Sequence, residues 1–596
     1  MPDQPTPLSA PITRRTALRA GLVAGAALAV APPVAAAAPS NRRSPLLRSG
    51  GKTVAIFGGG MAGLSAAHEL AERGYDITVY EPALLGGKAR SMGVPGTAAP
   101  GRQELPGEHG FRFFPGCYQH VPDTMSRIPF PGNPNGVLDN LVRVEGTVAG
   151  FQDLPPIFAP VELGGLSQLT PEVLRNSIIG ALGFIPGLPP HELAFFAKQM
   201  LVWFTSSTER RFGQWEYVTW EQIMHAEGKS PAYRKYLVNA LTRITVAAKP
   251  QTSSARTIGT IGEALVLAAT GTIPQFAGGI DRILNRPTST AWIDPWVEYL
   301  RSLGVRFVLG RGLAALRMAG GRIASATITG TSGSTTVTAD HYLCAVPVDR
   351  AVDLLDDTII DADPRLAGMR NLVTDWMVGI QYYLRRTTEI PEGHIAALGS
   401  PWALTALRQA PMWVGDFPAT YGDGSVLECL SVDISDWDTP GILYGRTAKE
   451  CTAAEIATET WAQLKVWLNT GTDWLRDEDI RSWHLDPGIT WSGDTIHNET
   501  PLLVNTVGSY DDRPDAHCAI PNLYFGGDHV RNHIDLATME GANESGRAAA
   551  NAVLDAADDP GPRAQIFPLV SLPAFAAAKA IDADRFRAGL PHLLDG

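Results

Sequence analysis

The stretch Lys52-Thr53-Val54-Ala55-Ile56-Phe57-Gly58-Gly59-Gly60-Met61-Ala62-Gly63 decides the fold. Its first half is a nearly continuous apolar run, the pattern of a strand buried on both faces of a parallel sheet. The run passes directly into a G-x-G-x-x-G turn. Leu64, Ala67, Leu70 and Ala71 then recur at helical spacing, and Gly74 marks the helix stop. A second strand, Asp76-Ile77-Thr78-Val79-Tyr80, ends on Glu81, 18 residues after Gly63. Strand, glycine turn, helix, strand and acid thus follow the order of a dinucleotide-binding βαβ unit. Gly58 permits the tight turn, Gly60 lets backbone N–H groups approach a pyrophosphate, and Gly63 lets the helix pack on the sheet. Met61 and Ala62 open the helix whose positive dipole end faces the phosphates. Glu81 can accept hydrogen bonds from an adenosine ribose diol, and its charge disfavours a 2′-phosphate.

Gly86-Gly87-Lys88-Ala89-Arg90-Ser91 follows closely. It resembles the G-G-[RK]-x-x-[ST] element of the amine-oxidase and carotenoid-desaturase superfamily. In that family this backbone and its basic residues, here Lys88 and Arg90, meet the diphosphate and ribityl of FAD. The resemblance therefore selects FAD over NAD. Glu108-His109-Gly110-Phe111-Arg112-Phe113-Phe114-Pro115-Gly116-Cys117-Tyr118 is in turn similar to the E-x-G-x-H-x-F-F-G-x-Y stretch of phytoene and zeta-carotene desaturases, and to its counterpart in hydroxysqualene dehydroxylases. Arg112 stands where those families have His, and Pro115 replaces the second Phe. The resemblance places Gly110, Phe111 and Arg112 at the flavin, with Glu108 and Arg112 as the catalytic candidates. A guanidinium at 112 can stabilise an anionic reduced flavin or anchor a substrate carboxylate or carbonyl. It can equally form a structural ion pair with Glu108.

The carboxyl-terminal third carries a third motif. Asn522-Leu523-Tyr524-Phe525-Gly526-Gly527-Asp528 is an apolar strand ending in a glycine pair and an acid, and 535–547 leads into a helix. This resembles the final FAD motif of the superfamily, in which Gly527 and Asp528 meet the pyrophosphate or ribityl. There the helix start at Thr538, Met539, Gly541 and Ala542 points its dipole at the flavin N1–C2=O edge. Residues 304–309 and 312–316 look like the strand pair that contacts adenine, with Leu313 at the matching position. Cys344-Ala345-Val346-Pro347 resembles the A-x-P that closes this part of the fold.

The chain is accordingly read as α/β: a glutathione-reductase-like FAD-binding Rossmann domain, discontinuous over 51–120, 290–350 and 501–556. A mixed α+β substrate domain takes 121–289 and 351–500. It has helical patterning at 172–184, 192–205, 232–245 and 453–468, and strand-like runs at 377–384 and 426–434. Residues 557–596 form a loosely packed tail. Trp203, Trp215, Trp220, Trp292, Trp296, Trp376, Trp402, Trp413 and Trp437 lie in or beside the insertions. They either line an apolar tunnel or fill ordinary core.

Before all of this, Arg14-Arg15 and Leu18 precede an Ala/Gly/Val-rich run and Ala35-Ala36-Ala37-Ala38. The order of basic, apolar and small residues is that of a signal peptide over 1–38, and the arginine pair resembles the twin-arginine consensus. It implies export by the twin-arginine machinery to a periplasmic, cell-envelope or secreted location, and leaves room for peripheral membrane contact. A net charge of −12 argues against nucleic acid. Five scattered cysteines show no C-x-x-C spacing, so buried thiols are expected rather than disulfides, and no metal site is read.

The resemblance implies FAD-dependent dehydrogenation of a small hydrophobic, isoprenoid-like substrate of carotenoid or squalene type. The route is hydride transfer to flavin N5, with a quinone or oxygen as electron acceptor. Export raises a second reading, an amine or amino-acid oxidase releasing hydrogen peroxide, for which Lys249 is the candidate water-bonded lysine. A third is a non-catalytic carrier of the flavin fold, against which the intact glycines, Glu81 and Asp528 speak.

Overall fold

The computed structural model describes residues 51–110, 112–160, 169–240, 242–243, 248–269 and 281–594. The signal-like segment and Phe111 lie outside them.

The quoted apolar run is strand Thr53–Phe57, and its buried position explains its composition. It is the central strand of a five-stranded sheet, flanked by Asp76–Glu81 and then Arg306–Leu309 on one side, and by His341–Cys344 and then Leu523–Phe525 on the other. Every pairing in that sheet is parallel. Helix Met61–Ala71 is buried along its whole length. Helix Met539–Ala556 packs beside it so closely that a Cβ on Gly546 would overlap the Ala62 carbonyl oxygen. An antiparallel sheet of Gly312–Ala319, Arg322–Gly330 and Gly333–Val337 adjoins this layer.

A second, seven-stranded sheet is mixed: Gly146–Phe151 pairs parallel with His394–Ala397, whereas its other pairings are antiparallel. The expected strands at 377–384 and 426–434 are its members Val378–Leu384 and Glu428–Ile434. Both are buried throughout, yet Leu430, Val432 and Ile434 alternate with Cys429, Ser431 and Asp433, because one face meets the apolar core and the other meets Gln381 and the Gly110 backbone. Helix Ala453–Leu468, with a Thr452/Glu455 capping box, packs against this sheet. A third core joins helices Pro171–Leu182, Pro190–Thr205 and Ala255–Ala269. The expected helix at 232–245 is instead a π-helical stretch, Tyr233–Ala240.

One expectation is corrected. The tail is packed, not loose: helix Ala576–Arg587 buries Asp582, which accepts from Arg210 Nε at 2.7 Å and Ser207 N at 2.8 Å. Phe575 packs against Phe204 at the same junction. Removing one partner of such a buried ion pair typically costs about 3–5 kcal/mol, so this contact fixes the tail. The tryptophans named above, all but Trp376, are buried core residues. Trp292 stacks on Trp296, and the indole N–H groups of Trp203, Trp215, Trp402 and Trp437 are spent on protein acceptors. They fill ordinary core, the second of the two readings. The five cysteines are unpaired, four of them buried.

Candidate functional site

The glycine turn begins where strand Thr53–Phe57 ends. Gly58 sits at φ +110°, and a Cβ there would overlap the Ala345 carbonyl oxygen. A Cβ on Gly63 would overlap the Gly58 carbonyl oxygen, so helix and turn meet backbone to backbone. Gly60 caps the helix without any side-chain hydrogen bond, leaving the first-turn N–H groups at Met61 and Ala62 to an outside acceptor. Gly87 stands directly over this turn, where an added Cβ would lie 3.0 Å from the Gly60 Cα. Gly86 donates to the Gly59 carbonyl at 2.8 Å. The first and second motifs therefore form one backbone cradle, open enough for a phosphate only because both sides are glycine.

Glu81 closes the cradle. Its carboxylate accepts from Gly59 N at 2.8 Å and Ala83 N at 2.9 Å. Burial lifts its pKa above the ordinary carboxylate value, against the pull of those two N–H groups. The strand carrying Leu313 starts beside it, with Arg311 N donating to the Glu81 carbonyl at 3.2 Å and Gly312 against Pro82. Lys88 Nζ donates to the Pro501 carbonyl, and Arg90 to the Gly87 carbonyl with its Nε left unpartnered.

Strand Ser91–Gly93 pairs antiparallel with Pro106–Glu108 and so delivers the next segment. Glu108 is buried: Oε1 accepts from Thr288 N at 2.9 Å, whereas Oε2 has no hydrogen-bond partner. Burial raises its pKa to about 7, with Arg112 pulling it down and Asp433 pushing it up. Arg112 donates to the Gly110 carbonyl, not to Glu108, and its Nε is unpartnered. The structural ion pair between these two side chains is thus not what the fold makes of them. Burial lowers the pKa of Arg112, opposed by Glu108 and Asp433.

Several neighbours were invisible in the motifs. Strand Val378–Leu384 runs under the segment, and Gly379 N donates to the His109 carbonyl at 3.1 Å. Gln381 donates to the Glu108 carbonyl at 3.0 Å, and its own Oε1 is unpartnered. A Cβ on Gly110 would lie 2.8 Å from Asp433 Oδ1, and His109 is fixed by Asp486 at 2.9 Å. These residues lie hundreds of positions from Glu108 in isolated apolar or polar stretches, so no local pattern announces them.

The third motif meets the cradle through helix packing, with Gly526 against Ala62. Gly527 N donates to Ser545 Oγ at 2.9 Å, and Arg513 Nη2 donates to the Asp528 carbonyl at 2.9 Å. Thr538 caps the last helix through Gly541 N at 3.0 Å. Met539 and Ala542 lie partly exposed in its first turns. Glu540, missed from sequence, accepts from Gln119, His120 and Val121 N–H groups and so holds the amino end of helix His120–Arg127.

Three features fit a bound dinucleotide flavin: the all-glycine cradle, the uncapped helix start and a set of buried unsatisfied polar atoms. Chief among the last is His529, fully buried beside Asp528 with neither ring nitrogen hydrogen-bonded. Burial lowers its pKa to about 4, so it is neutral at pH 7 and offers one donor and one acceptor. Replacing His529 with Phe keeps volume and removes both. FAD is expected to bind about tenfold more weakly, one net hydrogen bond's worth, as read by titrating flavin back into deflavinated protein; unchanged affinity would give His529 a packing role alone. A cavity of about 650 Å³ elsewhere, lined by Arg211, Arg256, Glu263 and Lys579, includes none of the site residues, and its charges are already paired with one another or with neighbours.

A glycine cradle on a parallel sheet, an acid at the second strand end and a helix aimed into the same crevice define a dinucleotide-binding oxidoreductase fold. Residues 61–554 match the flavin containing amine oxidoreductase family, and the chain belongs to that family. It is an FAD-dependent oxidoreductase. Carotenoid phi-ring synthase of Chlorobaculum tepidum is 24% identical over 306 residues, 50% of this chain and 43% of that one. The beta subunit of NADP(+)-dependent formate dehydrogenase from Moorella thermoacetica is 48% identical over 58 residues, 10% of this chain and 8% of that one. The chain thus spans less than half the length of either curated relative. Among solved structures, cyclohexylamine oxidase from Brevibacterium oxydans superposes with a TM-score of 0.56 at 13% identity, covering 85% of this chain and 99% of that one. Putrescine oxidase gives 0.54 at 14%, covering 86% and 100%. These structures share the fold.

Proposed function

We propose that the protein dehydrogenates a hydrophobic, isoprenoid-like substrate, with Glu108 taking up the proton that leaves it. One observation carries this reading: a buried carboxyl with one oxygen held by the Thr288 N–H, the other unspent, and a pKa of about 7. A general base poised near the operating pH combines availability with driving force. FAD, when bound, supplies the two-electron acceptor.

The chain's own groups do the rest. Glu108 Oε2 receives the proton. Arg112 and Asp433 set its proton affinity in opposite directions, and Gln381 and Thr288 hold the segment in place. A hydrocarbon substrate brings no charge to this cluster, which leaves Glu108 free for proton work. Gly58, Gly60, Gly63, Gly86, Gly87 and the start of helix Met539–Ala556 would hold the phosphates and flavin, and Glu81 the ribose. The partial likeness to carotenoid phi-ring synthase and the 108–118 segment both support an isoprenoid-type substrate. The leader over 1–38 supports export by the twin-arginine route.

The unpartnered, buried Arg112 Nε favours a second reading, an amino-acid oxidase in which that donor takes a substrate carboxylate. Lys249 does not strengthen it. Its ammonium is bound to Asp438 and lies 3.3 Å from Asp375. Anaerobic bleaching of the bound flavin separates the two readings. Bleaching by lipophilic isoprenoids but not by amines or amino acids is the expected result. Rapid bleaching by an amino acid, with peroxide released on readmitting air, would overturn it.

A further inference from the structure

Outside the flavin site, the loop after strand Glu428–Ile434 presents three consecutive large apolar side chains to solvent. Ile442, Leu443 and Tyr444 are 43%, 52% and 38% exposed. The loop is not slack. Glu459, buried on helix Ala453–Leu468, accepts from the N–H groups of Ile442, Leu443 and Tyr444 at 2.6, 2.8 and 3.1 Å. Gly441 N closes the loop onto the Arg446 carbonyl at 2.8 Å, and Gly441 leaves the room that the Glu459 carboxylate occupies. Three satisfied N–H groups and a buried anion hold the apolar tip outward, where it cannot fold back onto the core.

Beside the loop's base lies a cavity of about 520 Å³ whose wall includes Thr439 and Pro440 together with Arg234, Lys235 and Arg243. Arg243 is neutralised by Asp436. Arg234 is exposed, and the Lys235 ammonium lies over the rings of Tyr236 and Trp467. Arg446 sits over the Tyr444 ring at 5.5 Å, its charge taken up by Glu455, which leaves Arg234 and Lys235 as the cations in question. Apolar tip, interfacial tyrosine and cations set back from the tip match the layering of a bilayer surface: acyl chains, then headgroup phosphates. Three partly exposed side chains fall far short of the about 800 Å² per partner of a stable protein interface. A few inserted side chains are enough for reversible membrane partitioning.

We infer that the Ile442–Leu443–Tyr444 loop is a membrane-docking element that enters the interfacial layer of a phospholipid bilayer while Arg234 and Lys235 meet headgroup phosphates. This inference is independent of which substrate the flavin site oxidises.

The FAD-loaded full chain is tested by flotation with vesicles of phosphatidylcholine alone and of phosphatidylcholine with phosphatidylglycerol. Wild type floats with both and more strongly with the anionic mixture. Leu443→Asp loses about tenfold or more of its partitioning on both, with flavin content unchanged. Arg234→Ala combined with Lys235→Ala loses only the anionic increment. Leu443→Cys, carrying an environment-sensitive dye, reports the loop itself, so binding by the leader is not counted; the dye's emission shifts to the blue on vesicles. An unshifted dye, or equal flotation of wild type and Leu443→Asp, overturns the inference. So does a concentration-dependent dimer that Leu443→Asp abolishes, since the tip would then cover a second copy.

Discussion

Glu108→Gln slows reduction of the bound flavin by substrate about a hundredfold, while the purified variant stays yellow. The amide keeps the size of the side chain and its acceptor for the Thr288 N–H, but cannot take a proton at neutral pH. The pH dependence follows from the sign of the shift. A carboxyl raised by burial to about 7 is ionised, and active as a base, only above that pH. The wild-type rate should therefore climb as pH rises through about 7 and level off beyond it, and the Gln variant should show no such limb. Arg112 lowers that proton affinity, so Arg112→Ala should move the limb to higher pH. Stopped-flow bleaching across pH reads all three. The same shift contributes to stability with the opposite trend. The protonated form is favoured in the fold, so the contribution, of the order of 3 kcal/mol, is complete below about pH 4.5 and lost as pH rises through about 7. A Gln variant with wild-type rates and an intact limb would remove Glu108 from the chemistry.

Gly63→Ala yields colourless protein or none that is soluble. The new methyl would overlap the Gly58 carbonyl oxygen, a backbone atom that cannot turn away as a side-chain tip can. Relief requires the helix to lift off the sheet, which costs about 3 kcal/mol or more and takes the helix start away from the phosphates. That corresponds to an FAD affinity roughly a hundredfold weaker. Gly60→Ala is the informative control. The nearest atom to its added Cβ is the Gly87 Cα at 3.7 Å, so the empty cradle tolerates it and only the bound phosphate is crowded. Flavin released per chain on denaturation measures both. Full flavin content in Gly63→Ala would mean that the cradle is not where the cofactor sits.

These two results mark what the sequence could and could not disclose. The glycine turn, Glu81 and the strand that joins them are set by neighbours in the chain, through positive φ, helix dipole and a pleated apolar run, so their pattern is local and readable. The surroundings of Glu108 are not local. Gln381 and Asp433 arrive on strands of a different sheet, and Thr288 reaches Glu108 from 180 residues further along the chain. The tryptophans were left with two readings for a related reason. Composition gives their number but not whether an indole faces a tunnel or a packed interior, and here hydrogen-bond acceptors waiting in the core settled it. The tail misled because proline and alanine say little about docking, whereas Asp582 and Phe575 fasten it to the helical core.

That fastening has a consequence for how the molecule comes into being on the ribosome. Arg210 is synthesised 372 residues before the acid that compensates it. Until Asp582 leaves the exit tunnel, the nascent helical region carries a cation it cannot bury, and the strand ending at Phe525 is likewise late to the sheet started at Thr53. The chain is thus held short of its closed form until both partners have emerged. Its cofactor crevice is completed only once that strand and helix Met539–Ala556 have been made.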